Sequence, residues 1–195
     1  ANRGQAYYGL YQYRRALDDF REAIRLNKHS KWNWEWVGDL CWLRGEYAEA
    51  IDAYTQEAKI DSEGTSPFWR RARAYYLSGN ITAGIDDYTQ CMRVGEEKGE
   101  TRNDIALYHY WRGVFRIGMG DYDAALIDIE KSEIIAHDDA SSPISSAYNN
   151  YWRSIIFEVS LNTQRSSACL AMVIEALKNF DKPTDANRLR ALVAI

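Results

Sequence analysis

The sequence predicts an all-α solenoid of about five helix-turn-helix hairpins, and three observations predict it. The stretch "GEYAEAIDAYTQEAKID", Gly45 to Asp61, is rewritten as "GNITAGIDDYTQCMRVG" from Gly79 and as "GDYDAALIDIEKSEIIA" from Gly120. The first interval is 34 residues and the second is 41, one period plus seven. Within a copy, apolar residues recur at helical spacing: Ala50, Ile51, Tyr54 and Ala58 stand at i, i+1, i+4 and i+8, one stripe of a helix. A fixed period of this length marks small units that cannot bury both faces alone, so stacked neighbours complete the core.

A single domain spanning 1–195 is expected. Its first unit, residues 1–30, holds Gly4 and Tyr7 in a helix cut short by the chain start, then Ala16, Phe20 and Ala23 in "YQYRRALDDFREAIRLN". The second, 31–64, holds Trp34, Val37, Gly38 and Cys41, then Ala50 and Tyr54. Gly38 and Ala50 are small where paired helices must approach closely. The third, 65–105, holds Ala72 and Tyr75, then Gly84 and Tyr88. Its seven extra residues fall near 95–101, "GEEKGET", where polar and glycine residues predict a longer loop. The fourth, 106–140, holds Gly113, then Ala125 and Ile129.

A fifth unit, 143–180, is degenerate. "YWRSIIFEVSLN" from Tyr151 echoes "YWRGVFRIGMGD" from Tyr110, but its second helix, near Ser166 to Phe180, lacks the Gly-acid-Tyr turn. A closing helix is expected over 184–195. Pro67, Pro143 and Pro183 stand at or just before helix starts, where a missing N–H is tolerated. Ala1 falls inside a repeat, so the chain reads as a piece of a larger protein.

At these positions the chain resembles the tetratricopeptide repeat family, whose pattern is W-x2-L-G-x2-Y, then A-x3-F, then Pro. The resemblance covers roughly residues 1–140 and departs at Lys28, Ser62 and His137, where the family has Pro. It implies a right-handed superhelical solenoid whose concave wall is made mainly of first helices. It also implies a protein or peptide ligand bound on that wall.

Composition narrows the function further. The chain is 46% hydrophobic and 13% aromatic, ample for a core rather than for disorder. A net charge of −4 argues against nucleic acid or an anionic membrane as partner, and no apolar run is long enough to insert into a bilayer. Cys41, Cys91 and Cys169 form no CxxC pair, so neither a disulfide framework nor a zinc site is suggested and a cytoplasmic setting is expected. No nucleophile motif, HExxH spacing or phosphate loop appears. We therefore expect no enzyme, no metal and no cofactor. Asp18-Asp19, Asp86-Asp87 and Asp138-Asp139 resemble paired carboxylates, but neighbours on a helix diverge by about 100°. The first two pairs are expected on the solvated face of second helices.

The tryptophans all fall in first helices. Trp34 is at the family's packing position. Trp36, Arg70, Trp111 and Trp152 share one position in successive units, which the resemblance places on the concave wall. Glu35, Trp69, Tyr110 and Tyr151 precede them, and Asp39 and Arg73 lie one turn further on. The expected groove thus comprises Trp36, Trp69, Arg70, Arg73, Tyr110, Trp111, Tyr151 and Trp152. Trp, Tyr and Arg are favoured anchors for a peptide, and the arginines suit an acidic group. The same aromatics could instead pack on one another. That leaves open a structural or self-association module, or a regulatory domain whose catalytic part lies elsewhere. A family subgroup grips chaperone C-terminal carboxylates with a Lys/Asn/Asn/Lys/Arg clamp. Here only Arg70 matches, and Trp36 and Ser66 stand where Asn and Lys are needed.

Overall fold

The computed structural model describes residues 2–137 and 143–159. Among them every regular element is helical: α1 (Asn2–Gly9), α2 (Tyr13–Leu26), α3 (Lys31–Leu43), α4 (Tyr47–Ile60), α5 (Ser66–Leu77), α6 (Ile81–Lys98), α7 (Arg102–Met119), α8 (Tyr122–His137) and α9 (Pro143–Val159). They pack as consecutive hairpins, α1 on α2, α3 on α4, α5 on α6 and α7 on α8, and α9 opens the fifth. The chain divides into two compact units, Ala1–Lys98 with α1–α6 and Gly99–Ile195 with α7–α9. The expected helices near 166–180 and 184–195, like Asp138, Asp139 and Cys169, lie outside the described residues.

The repeated glycine that opens each copy ends a first helix. Gly45, Gly79 and Gly120 have φ of 76°, 87° and 81°, the left-handed region where a side chain is strained. The N–H of the following residue reaches back to the helix: Glu46 to Cys41 O at 2.9 Å, Asn80 to Tyr75 O at 2.9 Å, and Asp121 to Arg116 O at 3.0 Å. These are 6→1 bonds of the Schellman type, which satisfy carbonyls left over by the helix end. The first repeat makes the same bond, Gln12 N–H to Tyr7 O at 2.9 Å, with Tyr11 at φ 58° in the glycine's place.

Each hairpin closes on a small residue facing a large one. A Cβ on Gly38 would lie 2.4 Å from the Tyr54 ring, one on Gly4 3.0 Å from Phe20, and one on Gly113 3.0 Å from Ile129. Tyr54 cannot swing aside, because it is buried and its hydroxyl donates to Asp39 at 2.8 Å. Gly38→Val is therefore expected to destabilise by overpacking, by about 1–3 kcal/mol in urea unfolding. Gly9→Ala, with open space around it, is the matched control and should leave the midpoint unchanged.

Two expectations are corrected. The seven extra residues of the third repeat are mostly helix rather than loop. α6 and α7 run 18 residues each, against 14 for α4 and 13 for α3. Glu and Lys are good helix formers, Val94 and Gly95 are buried, and Arg93 pairs with Glu97 at 2.7 Å one turn on. The break is confined to Gly99, at φ 68°, and to Thr101, which caps α7 by accepting from the Asp104 N–H at 3.2 Å.

The second correction concerns the aspartates. Asp87 is buried at 5% exposure, and Asp19 is only 14% exposed at its side chain. Each is gripped by the guanidinium of an arginine sixteen residues earlier, on the first helix of its hairpin. Arg3 Nε and Nη2 donate to Asp19 at 2.7 and 2.6 Å, Arg71 to Asp87 at 2.8 and 2.6 Å, and Arg112 to Asp128 at 2.8 and 2.7 Å. A bidentate fork of this kind fixes geometry as well as charge.

Candidate functional site

In the first compact unit, α3 and α5 carry Trp36, Trp69, Arg70 and Arg73. Trp36 lies parallel on Phe20, with centroids 5.3 Å apart, and meets Tyr8 edge-on at 4.9 Å. Its contacts are those of a packing residue between the first two repeats. Trp69 is flanked by both arginines, with the Arg70 guanidinium 4.9 Å and that of Arg73 5.8 Å from its centroid. Arg73 also lies 4.6 Å from the centroid of Trp42, a cation–π contact.

Arg70 is enclosed by carboxylates. It donates to Glu35 at 2.6 Å and to the Ser66 hydroxyl, and lies 3.4 Å from Asp39 and 3.8 Å from Glu57. Glu57 is 2% exposed and its Oε2 has no hydrogen-bond partner. Burial pushes its carboxyl up to about 8, with Glu35, Asp39 and Asp61 adding to the rise and Arg70 opposing it. At neutral pH Glu57 is thus mostly protonated, and Glu35 and Asp39 answer the Arg70 charge. Arg73, by contrast, makes no ion pair among the described residues.

In the second compact unit, α7 and α9 bring the four aromatic positions together. Tyr110 meets Trp111 and Tyr151 meets Trp152, each edge-on at 5.2 Å. The Trp152 indole N–H donates to the Tyr110 hydroxyl at 2.8 Å and ties one pair to the other. Tyr151 is 9% exposed, whereas Trp111 is 40% exposed. Under this face, Asp128 accepts from Arg112, from Arg116 at 2.8 Å and from His109 Nδ1 at 3.1 Å, and is itself fully buried. Burial alone would raise its carboxyl, but the Arg112 and His109 hydrogen bonds and the arginine charges hold it down at about 2.

Sequence reasoning did not single out Glu57 or Asp128. The signal for Glu57 was present, since it stands three residues after Tyr54 and seven after Ala50, on the apolar stripe of α4. One grouping of metal-binding types occurs among the described residues: Cys41, Glu46 and Glu49, with ligand atoms within 4.8 Å of one another. Its carboxylates are held by Arg44 and Arg21, and burial followed by the Glu49 charge raises the Cys41 thiol to about 11. The donors are thus a protonated thiol and two engaged carboxylates, a poor set for a cation.

Repeated hairpins of this length, closed by a left-handed glycine and packed small against large, define a tetratricopeptide repeat protein. The tetratricopeptide repeat model matches residues 2–65, and the chain belongs to that family. It shares its fold with MamA from Desulfovibrio magneticus RS-1, at 13% identity over 93% of this chain and 94% of that one, TM-score 0.77. It is similar to YrrB, described as a TPR protein with an unusual peptide-binding site, at 14% identity over 97% and 89%, TM-score 0.71. The thermophilic TPR protein TTC0263 of Thermus thermophilus aligns at 16% identity over 100% and 97%, TM-score 0.64. No curated protein matches the chain in sequence. No helix among the described residues is long and apolar enough to cross a membrane.

Proposed function

We propose that this chain is a non-catalytic scaffold that binds a protein or peptide through the aromatic faces of its first helices. The observation that carries the reading is the joined quartet on α7 and α9. Tyr110, Tyr151 and Trp152 hold one another by edge contacts and the indole–hydroxyl bond, and Trp111 stands 40% exposed beside them. A large, rigid, half-open indole on a preorganised support is the usual composition of a binding anchor. Arg73, held over two indoles and free of an ion pair among the described residues, is the better candidate than Arg70 for an acidic group on the partner. Arg70 already has Glu35 and Asp39. YrrB, described as having a peptide-binding site on the same fold, supports this class of ligand. The buried free thiols Cys41 and Cys91 accord with a cytoplasmic setting.

The stack of Trp36 on Phe20 favours a structural role for that one residue. The test separates the two roles. Labelled protein is applied to a peptide array, and melting temperatures are measured on the same variants. Trp111→Ala should weaken the peptides that bind wild type by about 2 kcal/mol or more and leave the melting temperature unchanged. Trp36→Ala should lower the melting temperature. If Trp111→Ala lowers stability and no peptide distinguishes it from wild type, the aromatic face is packing and the proposal fails.

A further inference from the structure

The arginine–aspartate fork recurs in every described hairpin but one. Arg3, Arg71 and Arg112 share a position in the repeat, and the second repeat has Val37 there, 34 residues after Arg3 and 34 before Arg71. Asp19, Asp87 and Asp128 share another, and the second repeat has Ala53. Both members are changed together, as burial demands, because removing one alone would strand a charge. Both replacements are smaller and apolar, and both are buried, at 6% and 2% exposure.

A cavity of about 250 Å³ opens at this place, within the first compact unit between α2, α3 and α4. Its floor is Val37, Ala53 and Ile24, and its wall is Trp34, whose indole N–H is fixed on Lys28 O at 2.9 Å. Its rim is Arg21, Glu49 and Asp52. Arg21 and Glu49 neutralise each other at 2.5 Å. Asp52 is exposed and has neither a hydrogen bond nor an ion pair among the described residues. The rim therefore carries one uncompensated negative charge above an apolar floor.

We propose that this cavity receives a lysine or arginine side chain from the bound polypeptide, its aliphatic stem on Trp34 and Val37 and its cationic head at Asp52. Basic side chains bury their stems along apolar surface while the head stays at a polar rim, and a cation over an indole face is favourable. A wholly apolar side chain would satisfy the floor and leave Asp52 unanswered. The site is separate from the aromatic faces, and the inference rests on the reading of the chain as a polypeptide-binding scaffold.

The experiment is an amide and indole NMR titration of the whole chain with N-acetyl-arginine amide, and with N-acetyl-citrulline amide as its neutral analogue. The arginine probe should shift the Trp34 indole and Ala53 amide signals saturably, and the citrulline probe should shift them less. Asp52→Asn, an exposed change, should weaken the arginine probe about two- to fivefold and leave the citrulline probe unaffected. The double variant Val37→Arg with Ala53→Asp rebuilds the fork of the other hairpins and should abolish the response. Absence of a saturable shift, equal response to both probes, or an unchanged response in Asp52→Asn overturns the inference. Trp111-dependent peptides on the array, together with a silent cavity, would remove this site alone. Loss of both results would remove the scaffold reading.

Discussion

Asp128→Ala is expected to destabilise the second compact unit by about 3–5 kcal/mol, the cost of breaking a buried ion pair from one side. The carboxylate is fully buried and takes four donor contacts: two from Arg112, one from Arg116 and one from His109. Removing it leaves two guanidinium groups, 13% and 23% exposed at their side chains, with no counter-charge. Urea unfolding followed by far-UV circular dichroism checks the effect. The chain supplies its own control in Asp19→Ala. The Arg3–Asp19 fork has the same spacing and bond lengths, but Arg3 is 76% exposed, so water replaces what the fork supplied and little stability is lost. Equal losses at the two sites would show that burial does not set the difference. The sign with pH follows from the depressed carboxyl. With a folded value of about 2 below an ordinary 3.8, the contribution of Asp128 is complete above 3.8 and is lost as pH falls through about 2. Acid unfolding of wild type should show that loss, and Asp128→Ala should lack it.

The hairpins were legible because their determinants are local. A left-handed glycine, a small residue facing a large one and an apolar stripe each leave a mark within one repeat, and repetition at 34 residues multiplies it. The extension of α6 was misread because Glu, Lys and Gly suit an exposed helix end as well as a loop. The aspartates were misread for a different reason. Asp86-Asp87 looks like a polar face until the arginine sixteen residues earlier is set against it, and that pairing crosses a hairpin. Comparison of Arg3, Val37, Arg71 and Arg112 down the repeats was the available signal, and it also marks the second repeat as the exception.

The candidate site divides along the same line. Which residues stand on first helices was legible, because the period assigns each to an equivalent position. What each residue can do was not, because its partners come from the next hairpin. Arg70 has the composition of a carboxylate anchor, yet its acceptor Glu35 lies 35 residues away in the preceding repeat. Trp36 and Trp111 occupy the same register position, and only the structure separates a ring stacked on Phe20 from one 40% exposed. The repeat period therefore assigns positions on a face, and the neighbouring hairpin decides which are available to a ligand.

Glu57→Gln is expected to make the protein more stable at alkaline pH and to remove a pH dependence that wild type shows. Glu57 is 2% exposed among Glu35, Asp39, Asp61 and Arg70, with one oxygen unpartnered and the other 3.8 Å from the guanidinium. Desolvation dominates, so its carboxyl rises from an ordinary 4.5 to about 8. Between these values the folded chain holds a proton that the unfolded chain has released. Stability attributable to Glu57 is therefore complete below 4.5 and declines as pH rises through about 8, on the order of 4 kcal/mol across the window. A glutamine keeps the shape of the protonated side chain and has nothing to ionise. Wild type and Glu57→Gln should have similar urea midpoints near pH 5 and diverge steadily towards pH 8.5, with the variant the more stable. Comparing the two curves cancels the titration of His109 and of every other group they share. Parallel curves would place Glu57 in a wetter site with an ordinary carboxyl. A variant less stable at pH 8.5 would mean that the ionised carboxylate is required by Arg70, and that the cluster is an ion pair rather than a buried acid.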